Sequence, residues 1–556
     1  MKKTFLLFIL VLCSVAFCAQ NVDWLWVKQA GGTDSDVGKS IAVDANGNSY
    51  VTGYFRGNAT FGSTTLSSIG NTDIFFAKLD SNGNWLWANQ AGGWNYDYGY
   101  SIAVDANGNS YVTGYFKFSV TFGTTTLTNS GNPDIFVAKL DNNGNWLWAK
   151  QAGGISGDIG YSITVDANGN SYVTGIFSGS ATFGTITLIG FGGYDIFVAK
   201  LDSNGNWLWA KQAGGISDDY GNSIAVDANG NSYFTGWFSD SVTFGNTTLT
   251  SSGYADIFVA KLGNNGNWLW AKQAQTGGTL YDDCFSYGIA VDANGNSYVT
   301  GYFEGSINFG TTTLTSIGSW DFFVAKLDSN GNWLWAKQTG GTNYDYGCGI
   351  TVDANENSYV TGVFYSNSIT FGTITLTNSS SGYADIFVAK LDSNGNWLWA
   401  KQTGGTGNDY GYGIAVDDNG NSYVTGCFEI SATFGDTTLT SIGGGDIFVA
   451  KLGEGNSINL PDIISFNGIR SIYPNPFNPL TTIDYEISKP ADVKIEVYNN
   501  RGQLVRSIAL GYKEQGSYKL TWKGEDNNGC LCSTGIYYIR MQAGKEIYTK
   551  KAVLLK

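Results

Sequence analysis

Residues 134–175 read DIFVAKLDNNGNWLWAKQAGGISGDIGYSITVDANGNSYVTG, and this stretch decides the fold. It holds four short apolar pieces: DIFVAKL, WLWAKQA, YSITV and SYVTG. Each is too short for a helix and rich in β-branched or aromatic residues, so each reads as a strand. Two of the joints, D-N-N-G-N and D-A-N-G-N, are tight hairpins. Asn-Gly supplies the positive φ such turns need, and the leading Asp bonds the amides that follow.

The same pieces recur along the chain. The Trp-Leu-Trp segment begins at Trp24, Trp85, Trp146, Trp207, Trp268, Trp333 and Trp397, first at intervals of 61 residues, then 65 and 64. Seven units of four antiparallel strands, in the expected row FVAKL, WLW, IAV, YVTG, are the blades of a propeller. The last FVAKL, at 446–452, has no WLW after it, and the first WLW has no FVAKL before it. Closure explains both: the last strand completes the first blade and leaves no free sheet edge. Alternate joints then lie on opposite faces, with the Asn-Gly turns on one and the Gln-Ala-Gly-Gly loops and TFGTTTLT crossovers on the other. The insertions behind the longer intervals fall on this second face, at 275–287, around Tyr365 and at 379–384, and such loops carry binding surfaces.

The pattern resembles the bacterial β-propeller repeat family: D-x-F-V-x-K-L-D-x-x-G-N-x-x-W from Asp134 to Trp148, G-G…D-x-G from Gly153 to Gly160, and V-D-x-x-G-N-x-Y-V-T-G from Val165 to Gly175. The resemblance covers residues 22–453 and implies an all-β, seven-bladed propeller of extracytoplasmic habit, with no particular reaction. Glu356 departs from it in place of a turn glycine, and Asn89 in place of a lysine.

Both ends differ from this body. Lys2 and Lys3 precede an apolar run to Phe17 and the small residues of an export signal, so residues 1–19 read as a signal peptide. No membrane span is expected in the mature chain. Residues 454–468 form a polar linker, and alternating strands with Gly-rich turns over 469–556 suggest a small Ig-like β-sandwich. Its opening YPNPFNP, the Y-N-x-x-G turn at Tyr498–Gly502, the STGIYY strand and the lysine-ended terminus resemble the C-terminal sorting domain of the type IX secretion system. That resemblance implies passage through a Gram-negative outer membrane, with the secretion machinery as partner and the outer surface or medium as destination. Cys530 and Cys532 are not part of its pattern.

Charge and composition narrow the function. Residues 20–460 carry 16 Lys+Arg against 37 Asp+Glu, while 461–556 carry 13 against 9. A body this acidic repels phosphate backbones and anionic membranes, so nucleic acid is not an expected partner. The chain has no histidine, which excludes Ser-His-Asp and Cys-His nucleophiles and His-bound metals. The seven cysteines lack the spacing of a disulfide framework. The fourteen WLW tryptophans, at ~200 Å² each, would expose roughly 2,800 Å² if solvated, so they are expected in the core between blades. Trp94, Trp237 and Trp320 lie outside the repeat and are the better sugar-contact candidates.

Two acidic series fall on the long-loop face and are the candidate ligand-binding residues. One comprises Asp73, Asp134, Asp195, Asp256, Asp321, Asp385 and Asp446, and the other Asp36, Asp97, Asp158, Asp219, Asp345 and Asp409. With FVAKL innermost, the first series would ring the channel mouth and offer a site to a cation, calcium included, or a cationic ligand. The plainer reading has each Asp bonding loop amides, with no cofactor. The D-x-N-G-N turns lack the glycine position and the terminal Glu of a calcium loop. The expected function is a non-catalytic surface or extracellular binding and adhesion protein for a glycan or surface protein. The alternatives are a carbohydrate-active enzyme using a carboxylate pair such as Asp282 and Asp283, and a structural spacer.

Overall fold

The computed structural model describes residues 22–129, 131–277, 284–454 and 468–555. The expected signal peptide, nearly all of the expected linker, Asp282 and Asp283 lie outside them. The chain divides into two compact units, residues 1–455 and 456–556.

The first unit is a propeller of seven four-stranded antiparallel sheets. In the second blade the strands are, from the axis outward, Tyr98–Val104, Ser110–Phe116, Asp134–Leu140 and Trp146–Ala152. The row is therefore IAV, YVTG, FVAKL, WLW, two steps out of phase with the expected one. Burial explains the shift. Every residue of Asp134–Leu140 is buried, as a strand covered on both faces and flanked on both edges must be. Trp146–Ala152 has Leu147 exposed and suits the rim. The Gly-Gly loop steps from the rim of one blade to the axis of the next. The crossover is a two-stranded hairpin, Ser119–Phe122 with Thr125–Thr128, between the second and third strands.

Closure is as expected. Val22–Gly32 pairs antiparallel with Thr437–Glu454, placing Val27 opposite Ala450 and Ala30 opposite Ile447. The inner strand Val37–Val43 accordingly packs beside both Tyr98–Val104 and Asp409–Val416.

Buried polar side chains tie the blades together. Each FVAKL lysine lies over the tyrosine of SYVTG, as Lys200 does at 4.6 Å from the Tyr172 ring centroid. The Tyr172 hydroxyl is shared between Asp166 Oδ2, 3.1 Å away in its own blade, and the Gly230 carbonyl, 3.1 Å away in the next. The turn aspartates are consumed locally: Asp166 Oδ1 accepts from the amides of Asn168 and Asn170, and Oδ2 from the Asn170 side chain. Glu356 adopts φ 63°, and its carboxylate holds Lys326 at 2.9 Å, offsetting about 1 kcal/mol of left-handed strain.

The WLW tryptophans differ from expectation. Only Trp399 is fully buried; the others are half-buried, because their strand is the rim of each sheet. Trp85 meets Phe61 edge-on at 5.3 Å, and Trp87 Nε1 donates to the Asn142 carbonyl of the next blade at 3.2 Å.

The second unit is a sandwich of a three-stranded sheet, in the order Gly468–Tyr473, Thr481–Ile487, Gly516–Trp522, and a four-stranded one. Alternate residues Ile483, Tyr485, Ile487, Val493, Ile495 and Val497 meet in a core closed by Trp522, which is 1% exposed.

A ring has no ends, so the tie that closes it should be worth as much as one within it. Tyr423, whose hydroxyl reaches Gly47 O at 3.2 Å, is the closing tie. Tyr423→Phe and Tyr172→Phe should each cost about 1–2 kcal/mol in urea unfolding. A negligible loss at Tyr423 alone would mean that the seventh blade does not close on the first.

Candidate functional site: an aromatic cup on the propeller axis

Each inner strand carries a β-bulge at the same place. Its register with the second strand slips between Gly38 and Ser40, Gly99 and Ser101, Gly160 and Ser162, Gly221 and Ser223, Ser286 and Gly288, Gly347 and Gly349, and Gly411 and Gly413. The residue left out of the ladder is Lys39, Tyr100, Tyr161, Asn222, Tyr287, Cys348 or Tyr412, and a bulge re-aims such a side chain. All seven line one cavity of about 650 Å³ on the axis. Neighbouring blades approach closely here. A Cβ on Gly99 would lie 2.7 Å from Ile74 Cγ2 and Thr52 Oγ1 of the first blade, so glycine is required there.

A second tier of rings completes the wall. Trp237 stacks on Tyr220 at 4.4 Å and meets Phe285 edge-on at 4.8 Å. Trp320 stacks on Tyr302 at 4.3 Å. Around the other arc, Tyr98, Tyr100, Tyr161 and Tyr220 follow one another at 5.6–6.3 Å. Trp237 and Trp320, singled out for falling outside the repeat, thus share the cup, while Trp94 stands 81% exposed. Burial pushes the Tyr100, Tyr161, Tyr346 and Tyr412 phenols above their ordinary range, and they remain hydrogen-bond donors at neutral pH. Burial likewise pushes the Cys348 and Cys427 thiols up to about 12. Among the described residues Lys39 is the one charged group of the lining; burial pushes its amine down. Its Nζ sits 3.7 Å from the Tyr412 ring centroid.

The acidic series lie elsewhere. FVAKL is the third strand, so Asp73, Asp134, Asp195, Asp256, Asp321, Asp385 and Asp446 do not ring the channel; all are buried beneath the long loops. Asp73 accepts from the Ile69 amide at 3.1 Å, Asp195 from Phe191 at 2.7 Å, and Asp446 from Gln29 Nε2 at 2.6 Å. The second series, Asp36, Asp97, Asp158, Asp219, Asp345 and Asp409, is fully buried at the start of the inner strands. Asp36 accepts from the Gly32 and Arg56 amides, and Asp158 from Gly154 and Ser178. Neither series offers a carboxylate to solvent.

Six junctions between blades bring one member of each series within electrostatic reach of the other, as Asp446 with Asp36 and Asp73 with Asp97. The Gly-Gly motif exists for these carboxyls. A Cβ on Gly31 would lie 2.6 Å from Asp446 Oδ1 and 3.1 Å from Asp36 Oδ2. At several junctions an oxygen on one or both carboxyls has no donor, among them Asp73 Oδ1, Asp97 Oδ2, Asp219 Oδ1 and Asp409 Oδ2. A proton on one carboxyl is the donor a buried pair lacks. Burial accordingly raises Asp36, Asp97, Asp134 and Asp158 to about 7, and Asp219 and Asp409 to about 8. The remaining junction is the control: Cys284 stands where the second Asp would be, and Thr276 donates to Asp256 from both its amide, at 3.0 Å, and its hydroxyl, at 2.9 Å. None of the five described cysteines is in a disulfide.

The cup residues were missed in the sequence, where repetition drew attention to what the units share. The signal was the opposite: the second position of G/S-x-S/G-I reads Lys, Tyr, Tyr, Asn, Tyr, Cys, Tyr while its flanks barely change.

Comparison with known proteins agrees with this architecture. Residues 25–54, 86–115, 147–175, 208–237, 270–302, 334–368 and 398–426 each match the beta-propeller repeat family, and residues 479–546 match the FlgD Ig-like domain. An uncharacterized WD repeat-containing protein of Acanthamoeba polyphaga mimivirus is 25% identical over 507 residues, covering 73% of this chain and 36% of that protein. The regulatory protein FlaEY of Caulobacter vibrioides is 25% identical over 462 residues, covering 76% and 46%. The chain thus spans less than half the length of these curated relatives. Among solved structures, PorZ, a surface component of the type IX secretion system of Porphyromonas gingivalis, aligns with a TM-score of 0.35 at 14% identity over 93% of this chain and 59% of that one. A fungal alcohol oxidase of the AA5 family aligns with a TM-score of 0.39 at 12% identity over 96% and 100%.

The buried carboxyls fix the sign of the pH dependence. In the unfolded chain they ionise near pH 4, and in the fold they keep protons to about pH 6–8. Between these limits the native state binds more protons, so stability falls as pH rises from about 5 to 8. The thermal midpoint of the propeller should drop across that range, and Asp97→Asn should flatten the slope. A midpoint that climbs with pH would overturn this protonation pattern.

Proposed function

We propose that the chain is an exported, non-catalytic binding protein of a Gram-negative cell surface, and that its propeller takes a small ligand in the axial cup. The observation that carries this reading is the departure of the seven bulge residues from the symmetry of the ring. Seven near-equal blades would present seven equal bulge residues to the axis, but Lys39, Asn222 and Cys348 interrupt the tyrosines. An asymmetric, concave, largely aromatic cavity with a few polar groups is what a specific small ligand requires.

The wall chemistry indicates a saccharide. Trp237 and Trp320 supply flat apolar faces, each held by a stacked tyrosine, and the phenols and Asn222 donate to hydroxyls. Among the described residues no carboxylate lines the cup, so they offer no glycosidase-type pair there. The YPNPFNP-led C-terminal domain supports delivery through the type IX machinery, and the basic, apolar start of the chain supports export.

Titration of the full chain with a panel of mono- and oligosaccharides, read by tryptophan fluorescence, tests the binding. Trp320→Ala should weaken the ligand found at least tenfold without changing the circular dichroism of the fold. Unaltered affinity in this variant, with product appearing in parallel turnover assays, would place both ligand and chemistry elsewhere. Removal of residues 469–556 should retain the protein in the periplasm of a host with type IX secretion, as read by protease accessibility on intact cells.

A further inference from the structure

We propose that the ligand of the cup carries a carboxylate and that Lys39 holds it, which makes an acidic sugar of the hexuronate type the ligand class; this rests on the binding role just proposed. The lysines that the fold itself uses show the contrast. Lys200, Lys326, Lys390 and Lys451 each lie within 3.9 Å of a turn aspartate. Each also sits over a tyrosine ring of its own blade.

Lys39 is built otherwise. It occupies a bulge position where every other blade has an uncharged residue. Among the described residues it takes part in no ion pair. Its neighbours are Tyr412, with the ring centroid at 3.7 Å, Tyr54 at 5.9 Å, and the thiols of Cys348 and Cys427. Burial keeps these thiols protonated, so they supply no anion.

Burial disfavours the Lys39 ammonium, no lining residue among those described supplies a counter-charge, and a ligand carboxylate would supply one and hold the amine protonated. A ligand carboxylate reaching down the axis would meet Nζ directly, while the ring behind it lay against Trp237 or Trp320. Such a charge-assisted contact is stronger than a hydroxyl contact to the same amine. The −15 net charge of the chain is screened beyond about 8 Å at physiological salt, so it does not oppose an anion already at contact.

The test compares D-glucuronate, its methyl ester and D-glucose on the full chain at 0.15 M salt, by tryptophan fluorescence or calorimetry. Wild type should bind glucuronate at least tenfold more tightly than the other two. Lys39→Met should bring all three to one affinity, and Lys39→Arg, which keeps the charge, should retain the preference. Equal affinities in wild type, or a preference that survives Lys39→Met, would overturn the role of Lys39 and leave saccharide binding in the cup standing. Absence of binding by every sugar would overturn both readings. Thermal melts of the variants separate a lost contact from a lost fold.

Discussion

Seven sheets share one axis only if the chain bends back to where it started, and the contact that lets it do so is the pairing of Val22–Gly32 with Thr437–Glu454. Everything inward follows from that constraint. Closure presses seven inner strands against one another, and a Cβ at Gly99 or Gly347 would strike Thr52 or Thr300 of the neighbouring blade. The strands relieve the crowding with one extra residue each. In four blades the bulge also turns a serine toward the next blade, so that Ser40 Oγ accepts the Ile102 amide at 3.2 Å and Ser101 Oγ the Ile163 amide at 3.1 Å. The cup is thus a by-product of the ring, and its lining is whatever residue stands at the bulge.

Away from the axis the ring is held by polar groups that few cores would admit. Lysines, tyrosines and aspartates repeat at every junction, each burying charge beside a partner that satisfies it. The paired carboxyls under the Gly-Gly loops belong to the same scheme, with the proton as the missing partner. Where Cys284 breaks a pair, Thr276 brings two donors to Asp256, so one substitution is answered by another within the same junction. In the unpaired case the donors come from Thr276 in place of a shared proton.

The propeller was legible in the sequence because repetition and turn chemistry act locally and recur. WLW spacing, Asn-Gly hairpins and the halved motif at the two ends sufficed for seven closed sheets. The phase of the blade was not legible, since any of four consecutive strands can begin a cyclic repeat. What settles it is burial on both faces of DIFVAKL against exposure of Leu147 on the rim, which a composition-based reading does not weigh. The same error placed the aspartates around the channel; the WLW tryptophans were assigned to the core on exposed area alone, which half-burial on the rim also answers. Trp237 and Trp320 were found because they broke the repeat, and the rest of the cup would have yielded to the same test applied at Lys39 and Asn222.

The bulge has an evolutionary corollary. A residue outside the hydrogen-bond ladder contributes little to holding its sheet, so it is free to drift after each internal duplication while its neighbours stay locked. Seven such positions converging on one hollow form a small alphabet written around an axle, one letter per spoke. Gene copies that shuffle those letters would acquire new tastes without relearning how to fold.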